Sequence, residues 1–452
     1  MSTLVKPRRD TFRAPKPDAV RLLVYDLLSE VNRRGGYSNL LLPQALTESK
    51  FEQRDKGFAT ELLYGTLRMQ GRHDFILSQV ADRPLSEVDE GIVDICRLGV
   101  HQLFEMRVAT HAAVSATVEV ARKVLGESKA SYVNALLRKV SSRTLAEWLE
   151  EIPEKADAIT RLSITHSHPE WVVSAYLDLL KDLELVEHEL SANNVAAAPT
   201  LVAWPGSSTQ EDFLALGAVA TRYSPYGATL GQPPATLEVI RHRKAGIQDE
   251  GSQLVAHIFS EAARESSSIL DLCAGPGGKA ALLAHIARER GQEFYANEIS
   301  QTRADLVKRV VTPATVWVGD GREIAERGMK FGAILADVPC TGLGALRRRP
   351  EVRWRRTLQD LRPLTELQLQ LVNAAISSLE PGGIFGYATC SPHYAETSAQ
   401  VKAIIKSNPT IKQISVEPYL PPSLQGAVRE GCLSLWTGQH GTDSMFLALF
   451  RV

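Results

Sequence analysis

Cysteine is scarce in this sequence, and its cysteines lie far apart. The five are Cys96, Cys273, Cys340, Cys390 and Cys432, and no C-x-x-C pair occurs. An odd, scattered set of this kind argues against a disulfide framework and against a zinc site. We therefore expect no metal ion, although a single thiol can still carry chemistry.

Long apolar runs are also lacking, as is an excess of charge of either sign. No stretch reaches the roughly 18–20 apolar residues that a membrane-spanning helix requires, and the N-terminus lacks the apolar core of a secretory signal. The 51 basic and 52 acidic side chains give a net charge of −1, so a polyanionic partner must be held by local basic patches. These absences predict a cytoplasmic protein that does not associate with membranes.

The length and composition are those of a globular chain with several domains. At 452 residues, and with about 100–200 residues per domain, two to four domains are expected. Hydrophobic residues make up 44% of the chain and charged residues 23%. These values exclude collagen-like, coiled-coil and largely disordered proteins.

The spacing of apolar residues divides the chain into segments. Residues 1–16 are rich in Pro and Arg and predict a flexible basic arm. Residues 17–144 carry apolar stripes at helical spacing and no alternating strand pattern, which predicts an all-α domain. Residues 145–247 predict a small connecting module of mixed structure, with a short strand at 199–204. From 248 to 452, apolar strands alternate with helices, which predicts a parallel sheet covered on both faces.

A glycine-rich turn follows the first predicted strand of the last segment. Residues 273–279 read Cys-Ala-Gly-Pro-Gly-Gly-Lys, and the glycines let backbone N–H groups approach a ligand at the start of a helix. Glu298 ends the second strand, where a carboxylate can accept both ribose hydroxyls, and Asp320 follows the third, where it can bind an adenine amino group. The turn departs from G-x-G-x-x-G, and S-adenosylmethionine fits it better because that cofactor has no pyrophosphate.

Two cysteines and a carboxylate follow the next two predicted strands. Asp337 and Cys340 follow the fourth strand, and Cys390 follows the fifth. Ligands of open α/β sheets lie outside the carboxyl ends of the strands, so both thiols should face the cofactor crevice. Placement alone does not decide which thiol would be a nucleophile.

Two thiols and a carboxylate suit the methylation of cytosine at C5. A thiolate that adds to C6 makes C5 nucleophilic, and a carboxylic acid that protonates N3 stabilises the adduct. When the C5 proton leaves and the thiolate is expelled, a second thiol can help. The target base has to leave its stack to be reached.

These motifs resemble those of the Sun/Fmu family of bacterial 16S rRNA cytosine-C5 methyltransferases. The resemblance covers about 248–452, and the motifs that carry it are Asp271–Lys279, Asp337–Cys340, Arg347–Trp354 and Thr389–Ser391. Residues 18–141 resemble the NusB RNA-binding fold through the motifs Glu61–Gly65 and His111–Val114. The implied fold is multidomain, with an all-α NusB-like N-terminal domain, a small mixed connecting module and a Rossmann-like α/β methyltransferase domain.

The resemblance also implies a reaction and a set of site residues. The implied reaction is S-adenosylmethionine-dependent methylation of cytosine C5 in 16S rRNA, with Cys390 attacking C6, Cys340 assisting release and Asp337 protonating N3. The implied cofactor contacts are Cys273, Ala274, Gly275, Pro276, Gly277, Gly278, Lys279, Glu298, Asp320 and Asp337. We expect the protein to act as a monomer.

An arginine-rich segment follows Cys340. Residues 347–356 contain six Arg and one Trp. Arginine suits phosphates, and the planes of Trp and Arg stack on unpaired bases. The predicted RNA contacts are Arg347, Arg348, Arg349, Arg353 and Trp354.

Three other functions stay open at this point. A tRNA cytosine-C5 methyltransferase would use the same chemistry, but the NusB-like segment favours rRNA. A non-catalytic RNA-binding assembly factor would have no need of the glycine loop, Asp337, Cys340 and Cys390. A small-molecule methyltransferase would need neither the roughly 250 additional residues nor the arginine cluster.

Overall fold

Two compact units make up the protein in a computed structural model that describes residues 17–231 and 234–452. One unit ends at His168, and the other runs from Pro169 to Val452. The boundaries expected after residues 144 and 247 lie within these units and stay predictions. The basic arm expected at 1–16 lies outside the described residues. Within the described ranges, no helix is both long enough and apolar enough to cross a bilayer.

The first unit is helical and has no strand among its described residues, as the apolar stripes predicted. Its helices are α1 (Ala19–Arg34), α2 (Ser38–Glu48), α3 (Gln53–Arg68), α4 (Gln70–Val80), α5 (Glu90–Phe104), α6 (Thr110–Leu125), α7 (Glu127–Val140), α8 (Leu145–Leu149) and α9 (Ala158–His166). The Asp18 side chain caps α1 by accepting the Arg21 N–H (2.9 Å). Gly35 ends the helix in a left-handed conformation (φ +74°) that favours glycine.

The second unit begins with two helices and a small antiparallel sheet. Its first elements are α10 (Glu170–Leu180), α11 (Leu183–Asn193), β1 (Thr200–Ala203), α12 (Gln210–Leu214), β2 (Val219–Ala220), β3 (Gly227–Thr229), α13 (Glu238–Arg241) and β4 (Ala245–Ile247). The strands pair in the order β2-β3-β1-β4. The strand predicted at 199–204 is β1, which lies centrally in this sheet.

A large mixed sheet dominates the rest of the unit. Its elements are α14 (Glu250–Ala262), β5 (Ser268–Asp271), α15 (Gly278–Glu289), β6 (Glu293–Glu298), α16 (Gln301–Val311), β7 (Thr315–Val318), β8 (Phe331–Asp337), α17 (Val352–Arg355), α18 (Leu361–Ser377), β9 (Leu379–Thr389), α19 (Ser398–Ser407), β10 (Lys412–Ile414), β11 (Val428–Arg429), β12 (Cys432–Ser434), α20 (Thr437–His440) and β13 (Phe446–Arg451). The strand order is β11-β12-β13-β9-β8-β5-β6-β7, and β10 pairs with β13.

The sheet is parallel from β9 to β7 and antiparallel at its C-terminal edge. Strands β9, β8, β5, β6 and β7 run parallel, whereas β13 is antiparallel to β9 and to β12. The prediction of a wholly parallel sheet is therefore corrected at the C-terminal edge. The segment between β12 and β13 is too short for the crossover that a parallel pair requires.

Apolar cores cover both faces of the large sheet, as predicted for strands that read as continuous apolar runs. Ile269 of β5 packs into the core that includes α14 and α15. Its neighbour Leu270 points to the other face and packs into the core that includes α18 and α19. The helices cover the two faces of the sheet but not the carboxyl ends of β5, β6, β8 and β9, where polar residues lie.

Candidate active site

The glycine-rich turn leads from β5 into α15. Gly277 precedes the first residue of α15 and has φ +114°, a left-handed conformation that glycine adopts without strain. Its N–H donates to Ala274 O (2.8 Å), and the Ala274 N–H donates to Asn297 O (3.0 Å). The turn is thereby fixed, and the first N–H groups of α15 have no acceptor within the helix. This is the backbone arrangement that binds a carboxylate.

The structure brings Glu298 into direct contact with the turn. Glu298 ends β6 with only 3% of its surface exposed, and its Oε2 accepts the Gly275 N–H (3.0 Å). Asp320 lies two residues past β7, where its carboxylate is paired with the Arg322 guanidinium (2.6 Å). Both carboxylates stand at neighbouring strand ends, as predicted, and their contacts with the cofactor stay predictions.

Buried carboxylates give the crevice a negative character that suits a cationic ligand. Asp271, at the end of β5, is 1% exposed, and its Oδ1 has no hydrogen-bond partner among the described residues. Burial, and then the nearby charges of Asp337 and Glu298, raise the pKa of Asp271 to about 7. A positively charged sulfonium and a free amino group would offset this concentration of negative charge, so the residues present fit S-adenosylmethionine.

Lys279 connects the turn to the next strand end. Its Nζ donates to Asp337 Oδ2 (2.8 Å) and to Ser252 Oγ (3.0 Å). Burial lowers the pKa of Lys279, but the Asp337 carboxylate outweighs this effect and the net pKa is raised. The ammonium group therefore stays charged beside Asp337, at the opening where the loops after β8 and β9 meet.

Cys340 and Cys390 come together at that opening. Their Sγ atoms are 3.4 Å apart. A hydrogen bond to Cys390, together with burial, raises the pKa of Cys340. The same hydrogen bond lowers the pKa of Cys390 despite its burial, and the Arg349 guanidinium adds to this lowering. The pair thus favours a thiolate at Cys390 that accepts a hydrogen bond from the Cys340 thiol.

The arginine-rich segment is largely committed to internal ion pairs. Arg347 Nη2 lies 3.3 Å from Asp443 Oδ1, and Arg348 Nη2 lies 2.6 Å from Asp249 Oδ2. Only 8% of the Asp443 side chain and 7% of the Asp249 side chain are exposed. The two guanidinium groups are thus paired with buried carboxylates, and their predicted contacts with RNA phosphates stay predictions.

Arg353 is fully buried, so the prediction that it contacts RNA is wrong. The short helix α17 turns its side chain toward the end of α11, where Nη1 donates to Asn194 Oδ1 (2.8 Å). Arg349 and Trp354 are half-buried, and their roles in RNA binding stay predictions. Of the segment's predicted contacts, Arg349 is the one that faces the thiols.

Behind the two cysteines lies a buried polar group that no pattern in the sequence predicted. Glu396, six residues after Cys390, is 0% exposed and binds Thr341, the residue after Cys340. The one signal in the sequence is that Thr341 and Ser391, both hydroxylic, each follow a cysteine directly. A lone Glu at the start of a predicted helix indicates only a helix terminus.

Comparisons with known proteins place both units in known families. The 16S rRNA methyltransferase RsmB/F model matches residues 260–451, and the NusB family model matches residues 18–142. A putative methyltransferase of Mycobacterium tuberculosis is 39% identical over 98% of this chain and 99% of the relative. The ribosomal RNA small subunit methyltransferase B of Vibrio cholerae is 30% identical over 89% of this chain and 92% of the relative.

Solved structures share the fold at low sequence identity. The crystal structure of PH0851 matches with a TM-score of 0.79 and 19% identity, over 96% of this chain and 98% of that one. NSun6 from Pyrococcus horikoshii matches with a TM-score of 0.54 and 18% identity, over 63% of this chain and 98% of that one. Together the comparisons confirm the predicted resemblance, the fold class and S-adenosylmethionine as the cofactor.

Proposed function

Because the chain belongs to the RsmB/F family of 16S rRNA methyltransferases, we propose that it methylates C5 of a cytosine in 16S rRNA through a covalent Cys390–C6 adduct. The family makes the protein an S-adenosylmethionine-dependent RNA methyltransferase. The atom methylated, the covalent route and the residue roles are the proposal. The observation that carries it is the 3.4 Å contact between two thiols beside the Lys279–Asp337 pair.

The residues can perform each step of C5 methylation. The Cys390 thiolate forms an S–C6 bond, and N3 takes a proton that the Asp337–Lys279 pair supplies. When bound at the glycine-rich turn, S-adenosylmethionine would supply an electrophilic methyl group to C5; the electrons of the broken S–CH3 bond would stay on sulfur, leaving S-adenosylhomocysteine. Solvent water then takes the C5 proton, the C5–H electrons restore the C5–C6 double bond, and the S–C6 electrons return to the Cys390 sulfur. The N3 proton returns to the Asp337–Lys279 pair, and Cys340 donates a hydrogen bond to the departing thiolate.

Electrostatics favour Cys390 over Cys340 as the nucleophile. The hydrogen bond between the thiols, in which either sulfur can donate, lowers the Cys390 pKa and raises the Cys340 pKa, and the Arg349 and Lys279 cations lower the Cys390 pKa further. A thiolate is the reactive form of cysteine. The lowered pKa of Cys390 therefore supports its role as the nucleophile, which the sequence resemblance implies.

Ribosomal RNA is the favoured substrate. The NusB-like unit and the relatives named as small subunit rRNA methyltransferases support it. A protein that acts on 16S rRNA works in the cytoplasm, and we propose a monomer there. Methyl transfer to purified 16S rRNA, and not to bulk tRNA, is the expected result. A preference for tRNA would instead support the alternative of a tRNA cytosine-C5 methyltransferase, and the proposed chemistry would stay the same.

Alanine variants of the two cysteines test the covalent route. Cys390→Ala should abolish methylation and form no covalent protein–RNA species, because no thiolate adds to C6. Cys340→Ala should add to C6 and then stall before release, so that an adduct survives denaturing gels. Cys432→Ala, a change at a buried cysteine in β12, serves as the control and should behave like the wild type.

The reverse pattern would contradict the assignment of roles. A trapped adduct with Cys390→Ala and none with Cys340→Ala would make Cys340 the nucleophile. Full methylation by both variants would remove the covalent route altogether.

A further inference from the structure

A buried carboxylate without a cationic partner lies behind the two cysteine loops. Glu396 is 0% exposed and forms no ion pair within the described ranges of the chain. Its Oε1 accepts the Thr341 backbone N–H (2.9 Å), and its Oε2 accepts the Thr341 hydroxyl (2.5 Å). Burying a carboxylate in this way is costly unless several donors surround it. Glu396 has those donors, and they come from the loop that carries Cys340.

The same group of side chains reaches the Cys390 loop. Thr341 directly follows Cys340, and Ser391 directly follows Cys390; their hydroxyl oxygens are 2.9 Å apart. The Thr341 hydroxyl donates to Glu396, so its oxygen is left to accept from Ser391. One carboxylate therefore orients a chain of hydrogen bonds that joins both cysteine loops.

The far side of Glu396 is anchored on regular secondary structure. Gln368 of α18 donates from Nε2 to Glu396 Oε1 (3.0 Å) and also to Pro339 O (3.0 Å). The Tyr387 hydroxyl of β9 donates to the Glu396 carbonyl oxygen (2.8 Å). Gln368 and Tyr387 are both 0% exposed. Glu396 is thus held in place between α18 and the central strand β9.

The charge of Glu396 acts unequally on the two thiols. After the hydrogen bond to Cys390 and burial, the carboxylate is a further cause that raises the pKa of Cys340. Cys390 is instead faced by the cations Arg349 and Lys279, which lower its pKa. A proton shared by the pair therefore stays on Cys340, the thiol whose pKa the Glu396 carboxylate raises.

We propose that Glu396 is a positioning residue for methyl transfer: by tying the Cys340 loop to the Cys390 loop, its carboxylate sets the contact between the two thiols. The catalytic consequence rests on the proposed function, whereas the thiol geometry does not. A misplacement of about 1 Å in reacting groups can cost about a hundredfold in rate. Loosening this tie should therefore slow the reaction although Glu396 does not touch the base.

Three variants separate the effect of the hydrogen bonds that join the two cysteine loops from the effect of the Glu396 charge. Glu396→Ala removes every acceptor of the side chain. Thr341→Val removes only the hydroxyl that bridges Glu396 and Ser391. Glu396→Gln removes the charge but keeps Oε1 for the Thr341 N–H, and its amide can donate to the Thr341 hydroxyl, so the tie persists with one hydrogen bond reversed.

Glu189→Ala is the matched control. Glu189 is another buried carboxylate (1% exposed) that accepts backbone N–H groups, from Gly438 (2.7 Å) and Gln439 (3.1 Å). Its partners lie in α20 and not in either cysteine loop. Its removal leaves comparable donors unpaired, so it reports the general cost of losing a buried carboxylate.

Two readouts are measured on the full chain. The first is affinity for phenylarsine oxide, which bridges two neighbouring thiolates and needs no RNA; Cys340→Ala gives the background. The second is kcat and KM for methylation of 16S rRNA, with calorimetric S-adenosylmethionine affinity as the check on the cofactor site. The arsenical still reports on the thiols if the protein methylates another RNA or another atom.

Glu396→Ala should lower the arsenical affinity and kcat by about tenfold or more, which is the scale expected for a misplaced reacting group. Its KM and its S-adenosylmethionine affinity should stay within about twofold of the wild-type values. Thr341→Val should fall between this variant and the wild type. Glu396→Gln should retain arsenical affinity within about threefold. Glu189→Ala should leave the arsenical affinity unchanged.

The proposal would be overturned by arsenical affinity within twofold of wild type in Glu396→Ala, or by equal losses in Glu396→Ala and Glu189→Ala. If Glu396→Ala cannot be purified, the other two variants decide. Thr341→Val with wild-type arsenical affinity and kcat would then reject the proposal. Normal arsenical results with no methylation of any cytosine C5 would reject only the proposed function.

Discussion

Arg349 is the basic residue of the arginine-rich segment that faces the thiols. Its neighbours Arg347 and Arg348 pair with Asp249 and Asp443, whereas Arg349 forms no ion pair with a carboxylate in the described part of the chain. The charges of Cys390 and Cys340 instead contribute to raising the pKa of Arg349, although burial opposes this. We infer that its guanidinium stabilises a thiolate at Cys390.

Arg349→Gln should raise the Cys390 pKa, because it removes a cation that stabilises the thiolate. The acid limb of the pH–rate profile should then move to higher pH. The rate near pH 7 should fall by about tenfold or more, the scale of losing one charge-stabilising group in a dry site. Alkylation of Cys390 by iodoacetamide, followed by mass spectrometry as a function of pH, measures the thiolate directly.

The control for this prediction is Arg362→Gln. Arg362 is an exposed arginine of α18 that pairs with Glu366 on the surface, and its loss should leave the profile unchanged. An Arg349→Gln enzyme with a wild-type alkylation profile and weaker RNA binding would make Arg349 a phosphate ligand instead.

The sequence marks the residues proposed to carry chemistry but not the residues that hold them in place. Cys340, Cys390 and Asp337 stand out because each follows a predicted strand, and the sheet rule places such residues at one edge. Glu396 has no such mark, since its importance arises from hydroxyl and amide partners far apart in the chain. Arg353 was misjudged because the sequence does not tell which way a short helix turns its arginines.

At the scale of elements, the ends of β6 and β7 should control cofactor affinity. Glu298→Ala and Asp320→Ala should each weaken S-adenosylmethionine binding by about 1–3 kcal/mol, because each leaves a polar cofactor group without its partner. This corresponds to roughly tenfold to a hundredfold in dissociation constant. Titration calorimetry measures it, with hydrogen exchange of β6 amides to check that the strand stays folded.

Glu293→Ala provides the control, because Glu293 lies exposed at the opposite end of β6. Affinities within twofold of wild type for both Glu298→Ala and Asp320→Ala would remove these two residues from the cofactor site.

Most helices and central strands were predictable because their apolar periods are long and regular. Helix α2 is harder to predict because Pro43 lies inside it, and proline in a helix interior normally argues against a helix. The direction of β13 could not be predicted, because apolar strands look alike in sequence whether they run parallel or antiparallel. The strand's partners, β9 and β12, decide its direction, and pairing over such distances leaves no local trace in the sequence.

At the scale of the whole molecule, Asp271 in the second unit and His73 in the first should give local stability opposite pH dependences. In the second unit, Asp271 has a pKa of about 7, raised by burial from 3.8. The folded state therefore holds a proton that the unfolded chain releases, and the resulting stability is lost as pH rises through about 7. In the first unit, burial is the main cause that lowers the pKa of His73 well below 6.5. As the pH falls, His73 therefore binds a proton in the unfolded chain but not in the folded state. The stability of the fold decreases as pH falls below about 6.5.

Hydrogen exchange, converted to free energies of opening at each pH, should resolve the two responses within one sample. The amides of β5 should lose about 1 kcal/mol of stability between pH 6 and pH 8, and the amides of α4 should lose about 1 kcal/mol between pH 7 and pH 5.5. Asp271→Asn should flatten the first response, and His73→Leu the second, each without altering the other unit. Parallel changes in β5 and α4, or responses that survive these substitutions, would show that other groups govern the pH dependence.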